Sequence, residues 1–244
     1  MISRSSDVRA RHASPLQTKL LEITQIGSSR AGVLAIPKEY WPKPGQYLPC
    51  QNLSGDFEVL PTPLFRVMGS VKDSLNLAPL PDRWHPGDRI AFQPPQGKGF
   101  DLPGSVRRLG LLSLSTSPLY LLALVRFALD QGAAIALFCE AQPHRDILNN
   151  LPTSVEVGPI ASLLENLDWP DFLAVDVRQG ELGALSTLFG QIELRCPGQV
   201  LIHTPMPCHG LGECGVCTVE TRHGWRMACV DGPVFPLQEV LNVA

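Results

Sequence analysis

The sequence predicts an α+β multidomain chain: a small antiparallel β-barrel, then a parallel α/β domain of nucleotide-binding type, then a small cysteine-rich C-terminal subdomain. Three observations carry this reading. Short apolar stretches divided by Pro/Gly turns occupy the chain up to Pro103. Apolar strands alternating with helical stretches follow as far as Thr204. Four of the seven cysteines then fall between Cys208 and Cys229. The expected divisions are a flexible polar tail over 1–14, the barrel over 15–103, the α/β domain over 104–204 and the cysteine subdomain over 205–244.

In the barrel region, Leu16 to Ile26 mixes apolar and polar residues as a half-buried strand does. Gly32 to Ile36 is a second short strand, stopped by Pro37. A Pro42-Lys43-Pro44-Gly45 turn feeds the strand that starts at Gln46-Tyr47-Leu48, and Leu64 to Val71 and Arg89 to Gln93 are further strands. In the second region Leu109 to Leu114 is an apolar strand. Ser117-Pro118 opens a helix through Leu129, with proline suited to the first turn. Ala134 to Cys139, Val155 to Val157, Phe172 to Val177 and Val200 to His203 are the remaining strands, with helices near Ala161 to Asn166 and Glu181 to Phe189. This alternation calls for a parallel sheet covered on both faces.

The chain has 244 residues, enough for two domains and an appendage. A net charge of −3 gives no basic surface for nucleic acid or anionic membrane. The longest apolar runs, such as Leu119 to Val125, fall far short of the ~20 residues of a membrane span. No apolar signal core follows Met1, so the expected location is the cytoplasm, where thiols stay reduced. Cys50, Cys139 and Cys196 stand apart from the cluster and read as small buried hydrophobes.

The spacing C-x5-C-x2-C-x11-C of Cys208, Cys214, Cys217 and Cys229, with Gly210, Gly212 and Gly215 between them, suits a wrap around an iron–sulfur cluster. Such a wrap needs positive φ angles and N–H groups aimed at sulfur. Zinc on the same four thiolates is the alternative, although only Cys214 and Cys217 form a knuckle. A Rieske centre is excluded because no second Cys–His pair follows Cys208-His209. His203 and His209 read as turn or surface residues, and Trp225 and Met227 as a cover for the cysteine site or as packing.

Met206-Pro207-Cys208, Glu213-Cys214-Gly215-Val216-Cys217 and Ala228-Cys229-Val230-Asp231-Gly232-Pro233-Val234-Phe235 resemble the cluster segment of bacterial dihydroorotate dehydrogenase electron-transfer subunits. The resemblance implies a ferredoxin-reductase-like layout and a [2Fe–2S] cluster on Cys208, Cys214, Cys217 and Cys229. It further implies a hetero-oligomeric complex with a flavoprotein catalytic subunit, in which the chain is an oxidoreductase component that is not self-sufficient. FAD is implied on the barrel, with Arg66 and Ser70 as its candidate residues, because the family places an Arg on a barrel strand against flavin pyrophosphate. The run here is Arg66-Val67-Met68-Gly69-Ser70, with glycine where the family carries serine. The family's glycine-rich turn after the first α/β strand is missing, and Ser113-Leu114-Ser115-Thr116-Ser117-Pro118 stands in its place. NAD is therefore not expected to bind, since side chains crowd the pyrophosphate position. Two other readings stay open. One is a non-redox interaction subunit with structural zinc; the other is a complete NADH-oxidising flavin reductase.

Overall fold

The computed structural model describes residues 16–55, 60–68, 74–114, 117–190, 194–208 and 210–241. The expected tail over 1–14 and the candidate flavin residue Ser70 lie outside them.

Six strands close the N-terminal barrel: β1 (Leu16–Ile26), β2 (Ser29–Leu34), β3 (Tyr47–Asn52), β4 (Thr62–Arg66), β5 (Leu75–Ala78) and β6 (Arg89–Phe92). Their order around the barrel is β1-β2-β5-β4-β3-β6, with antiparallel pairing throughout. Closure leaves no free edge. Leu20, Leu34, Leu48, Leu64, Leu77 and Ile90 fill the interior with Trp84, all fully buried. β5 goes beyond the expected set; it is a four-residue strand that ends at Ala78, before Pro79.

The second region runs β7 (Arg108–Ser113), a 3-10 turn at Pro118–Leu121 leading into α1 (Leu122–Asp130), β8 (Ala134–Cys139), α2 (Arg145–Asn150), β9 (Val155–Pro159), α3 (Ile160–Glu165), β10 (Phe172–Arg178), α4 (Leu182–Phe189) and β11 (Gly198–His203). The apolar runs of β7, β8, β10 and β11 become largely covered parallel strands, as continuous hydrophobicity requires, while β9 at the sheet edge is mostly exposed. Beyond β11 come a hairpin of β12 (Thr218–Thr221) and β13 (Gly224–Met227), the short α5 (Ala228–Asp231), β14 (Val234–Pro236) and α6 (Leu237–Leu241). The large sheet has the order β14-β11-β10-β7-β8-β9, with β14 antiparallel at its edge. The chain thus leaves the sheet at β11, makes the cysteine loop and re-enters the same sheet at β14. Both ends of the loop are fixed to one rigid layer.

A single core joins these parts. Tyr47 and Phe65 of the barrel pack in the same buried cluster as Leu111, Val175 and Ile202 of the sheet and as Cys217 and Cys229 of the loop. Among the described residues no helix is long and apolar enough to cross a membrane.

Candidate metal centre

Between β11 and β12 the chain is almost entirely turn. Gly210, Gly212 and Gly215 have φ of +88°, +71° and +70°, a region that side chains with a β-carbon rarely enter. These reversals bring Cys208, Cys214 and Cys217 back onto α5, which carries Cys229. Leu211 N–H donates to Cys208 O at 3.2 Å, and Ala228 N–H to Cys217 O at 2.9 Å. The Thr218 hydroxyl ties the knuckle by donating to Gly215 O at 2.9 Å. Asp231 accepts from Met227 N–H at 3.0 Å and holds the short helix in place.

Cys208 lies beside Cys214, and Cys229 has both Cys217 and Cys208 as neighbours. The Gly212 N–H faces both Cys208 and Cys229. Burial works against the Cys208 thiolate. The Cys214 donor and the N–H groups of Gly212, Cys214 and Glu213 outweigh it and lower the pKa to about 6. At Cys229 burial dominates; the bond to Cys217 and the neighbouring thiolate charges add to it, pushing the thiol up to about 12. Cys217 and Cys229 are buried, Cys208 is half-buried and Cys214 is exposed. The site is therefore seated in the core on one side and open on the other.

This arrangement suits a two-iron cluster. Each iron there takes two thiolates, and backbone N–H groups point at sulfur. A cavity of about 430 Å³ opens over Cys208 and Cys229, lined also by Gln93, Gln96, Leu211 and Val230. Leu211, Val216, Trp225 and Val230 stand exposed around the loop. Trp225 is 67% exposed, and Met227 packs against the buried cluster that contains Cys217 and Cys229. Cys50, Cys139 and Cys196 are buried away from the loop as apolar residues.

Arg66 closes β4 and is half-buried. Its Nε donates to Met68 O at 3.4 Å, and its guanidinium lies 5.5 Å from the Trp41 ring. Burial lowers its pKa. It opens onto a cavity of about 600 Å³ between barrel and sheet, shared with Met68, Leu122, Val125, Arg126 and Leu151. Arg66 on a cavity of this size fits a ligand with a phosphate and an apolar ring, whereas Arg126 is paired with Asp130 at 3.1 Å.

His203 differs from its reading as a turn or surface residue. It ends β11, and its Nε2 lies 2.5 Å from Oδ1 of Asp176, a fully buried carboxyl on β10. The Tyr120 ring packs on the imidazole at 4.3 Å and Phe65 at 5.8 Å. Burial, then the Asp176 charge, raise the Tyr120 pKa. This group sits at the carboxyl edge of β10 and β11, beside the β7/β10 boundary where the strand order reverses. That is the usual ligand crevice of an open α/β sheet.

Residues 203–241 match the family described as the iron–sulfur cluster binding domain of dihydroorotate dehydrogenase B. The chain's C-terminal segment is an iron–sulfur domain of that family. Over 202 residues, 73% of each chain, the protein is 27% identical to the electron transfer subunit of dihydroorotate dehydrogenase B (NAD(+)) from Desulforamulus reducens. Among solved structures, a chain of an NADH-dependent reduced ferredoxin-NADP oxidoreductase superposes with a TM-score of 0.67, at 17% identity, covering 91% of this chain and 88% of that one. A ferredoxin NADP+ reductase from Neisseria gonorrhoeae gives a TM-score of 0.54 at 14% identity, covering 78% and 98%. At these identities the two structures establish the ferredoxin-reductase-like fold, and the dihydroorotate dehydrogenase B likeness rests on the cysteine domain and the curated relative.

Proposed function

We propose that the chain is the electron-transfer subunit of a dihydroorotate dehydrogenase B-type complex, working in the cytoplasm in pyrimidine synthesis. One [2Fe–2S] cluster is carried by Cys208, Cys214, Cys217 and Cys229 in the segment 205–244. The barrel, 15–103, holds FAD against Arg66 and Ser70. The α/β unit, 104–204, is the scaffold that fixes both ends of the cysteine loop. The observation that carries the reading is that residues 203–241, which contain all four cysteines, match the iron–sulfur family.

When bound, the cluster supplies a site that takes and gives one electron. The chain's own residues do the rest. The buried pair Cys217 and Cys229 anchors the site to the core, and the more exposed pair leaves one side open to a partner. Gly212 N–H stabilises thiolate charge on two of the four ligands. Leu211, Val230, Val216 and Trp225 form the apolar surround onto which the flavoprotein catalytic subunit docks. An exposed apolar cluster of this kind marks an interaction site. Arg66 would neutralise a flavin phosphate.

The α/β unit does not take NADH. Ser113 and Ser117 bracket the turn where glycines would be needed, Pro118 removes one N–H, and the Asp176–His203–Tyr120 group occupies the crevice beyond it. Co-purification under gentle anaerobic conditions should bring down a flavin-containing partner, and Leu211→Asp with Val230→Asp should release it. A wild-type chain that stays monomeric beside the candidate partner would contradict the subunit role. Titrating the pure chain with NADH should leave the cluster absorbance unbleached; micromolar binding with fast bleaching would favour the complete reductase.

A further inference from the structure

We infer that Tyr47 is the residue through which the barrel positions the cysteine centre and tunes its reduction potential; this rests on the iron–sulfur reading above. Tyr47 begins β3 and has no exposed surface. Its hydroxyl donates to the carbonyl oxygen of Cys229 at 3.1 Å, across 182 residues of sequence. Gln96 Oε1 lies 3.4 Å from the same hydroxyl. The ring has little freedom. It packs on Phe65 at 5.8 Å, and the Tyr47 backbone exchanges hydrogen bonds with Gln96 at 3.2 and 2.9 Å.

The loop is shaped to fit this phenol. A β-carbon at Gly210 would run into the Tyr47 hydroxyl and the Gln96 amide oxygen, and φ there is +88°. A β-carbon at Gly97 would strike Gly232 O and the Tyr47 ring. Lys98 N–H donates to Gly232 O, and Val234 N–H returns to Lys98 O at 3.3 Å. The strap that leaves the barrel is thus sewn to the backbone just past Cys229, while the phenol holds the Cys229 peptide itself.

The chemical consequence follows from polarity. A donor on the carbonyl of a ligand's peptide draws electron density away from the ligand and places positive potential beside the centre. That favours the reduced form, which carries the extra negative charge. In a buried setting the dipole is fixed in advance and poorly screened, so one hydroxyl has a measurable effect.

The test uses the full chain purified anaerobically with its cluster. Tyr47→Phe removes the donor and keeps the ring. Iron and sulfide contents and the melting temperature should stay at wild-type values, while the midpoint potential falls and the EPR g-values of the reduced form shift. Tyr40→Phe, a barrel tyrosine packed on Phe92, should leave the potential unchanged. Loss of iron from Tyr47→Phe at an unchanged melting temperature would also support the positioning role, since only a hydroxyl has gone. A Tyr47→Phe protein with the wild-type potential and spectrum overturns the inference alone. A wild-type chain that holds no iron and sulfide overturns the cluster reading and the inference together.

Discussion

The large sheet and the cysteine loop are ordered by opposite means. Leu109, Leu111, Val175, Val177, Leu201 and Ile202 of the sheet are fully buried, and parallel ladders satisfy their backbones. The loop exposes Leu211, Val216 and Trp225, and its backbone is set by three left-handed glycines and by short-range bonds to Gly215, Cys208 and Cys217. One region is held by apolar burial, the other by turn geometry. Damage to burial should therefore cost stability and spare the metal, whereas damage to the loop should cost the metal and spare the body.

The largest effect belongs to the ligands. Replacing Cys217 or Cys229 by Ser should reduce bound iron to background, measured by metal analysis, while the melting temperature of the metal-free chain changes little. Cys50→Ser should keep full iron content, because Cys50 points into the barrel interior. Leu111→Ala tests the other side of the comparison. It should destabilise the protein by about 2–5 kcal/mol, as for other buried leucines, read by denaturant unfolding. The iron bound per folded molecule should not change. If Leu111→Ala stripped the iron from protein that is still folded, the two regions would not be separable in this way.

Arg66→Ala should weaken FAD retention. Charge-assisted hydrogen bonds contribute about 1.5–3 kcal/mol each, so a loss of roughly 10–150-fold in affinity is expected by equilibrium dialysis. Unchanged affinity would make Arg66 a solvated strand residue. The smallest effect is a titration. In iron-free protein Cys208 should be alkylated with a midpoint near pH 6, the pKa set by burial, the Cys214 donor and three backbone N–H groups. Its folded pKa lies below the ordinary thiol value of 9.0. The resulting stabilisation is therefore complete above that value and disappears as pH falls through about 6. Gly212→Ala, which crowds Val230 and strains a φ of +71°, should raise that midpoint.

Much of the fold was legible because it is written in local patterns. Leu109 to Leu114 and Phe172 to Val177 are apolar runs broken by one polar residue each, Ser113 and Asp176, a pattern that covered strands need. Four cysteines interleaved with glycines announced the metal loop. The elements that sequence did not yield depend on distant partners. β14 is three residues long and is a strand only because β11 lies beside it. β5 is four residues on the closing seam of the barrel. The hairpin of β12 and β13 pairs Val219 with Arg226 and Glu220 with Trp225, and its exposed side chains carry no alternating apolar signal. The His203–Asp176 pair and the Tyr47–Cys229 bond are long-range consequences of register. A buried Asp in the apolar run Phe172 to Val177 was the one available hint of the former. In Pro44-Gly45-Gln46-Tyr47 the turn was visible, but nothing marked the tyrosine as a neighbour of the metal loop.

The central claim is that Cys208, Cys214, Cys217 and Cys229 together hold one two-iron cluster. The most direct measurement is iron, acid-labile sulfide and zinc analysis on one anaerobic preparation, followed by reduction and EPR. The account predicts about two irons and two sulfides per chain and a signal from one spin-coupled centre on one-electron reduction. One zinc per chain with no acid-labile sulfide would contradict it.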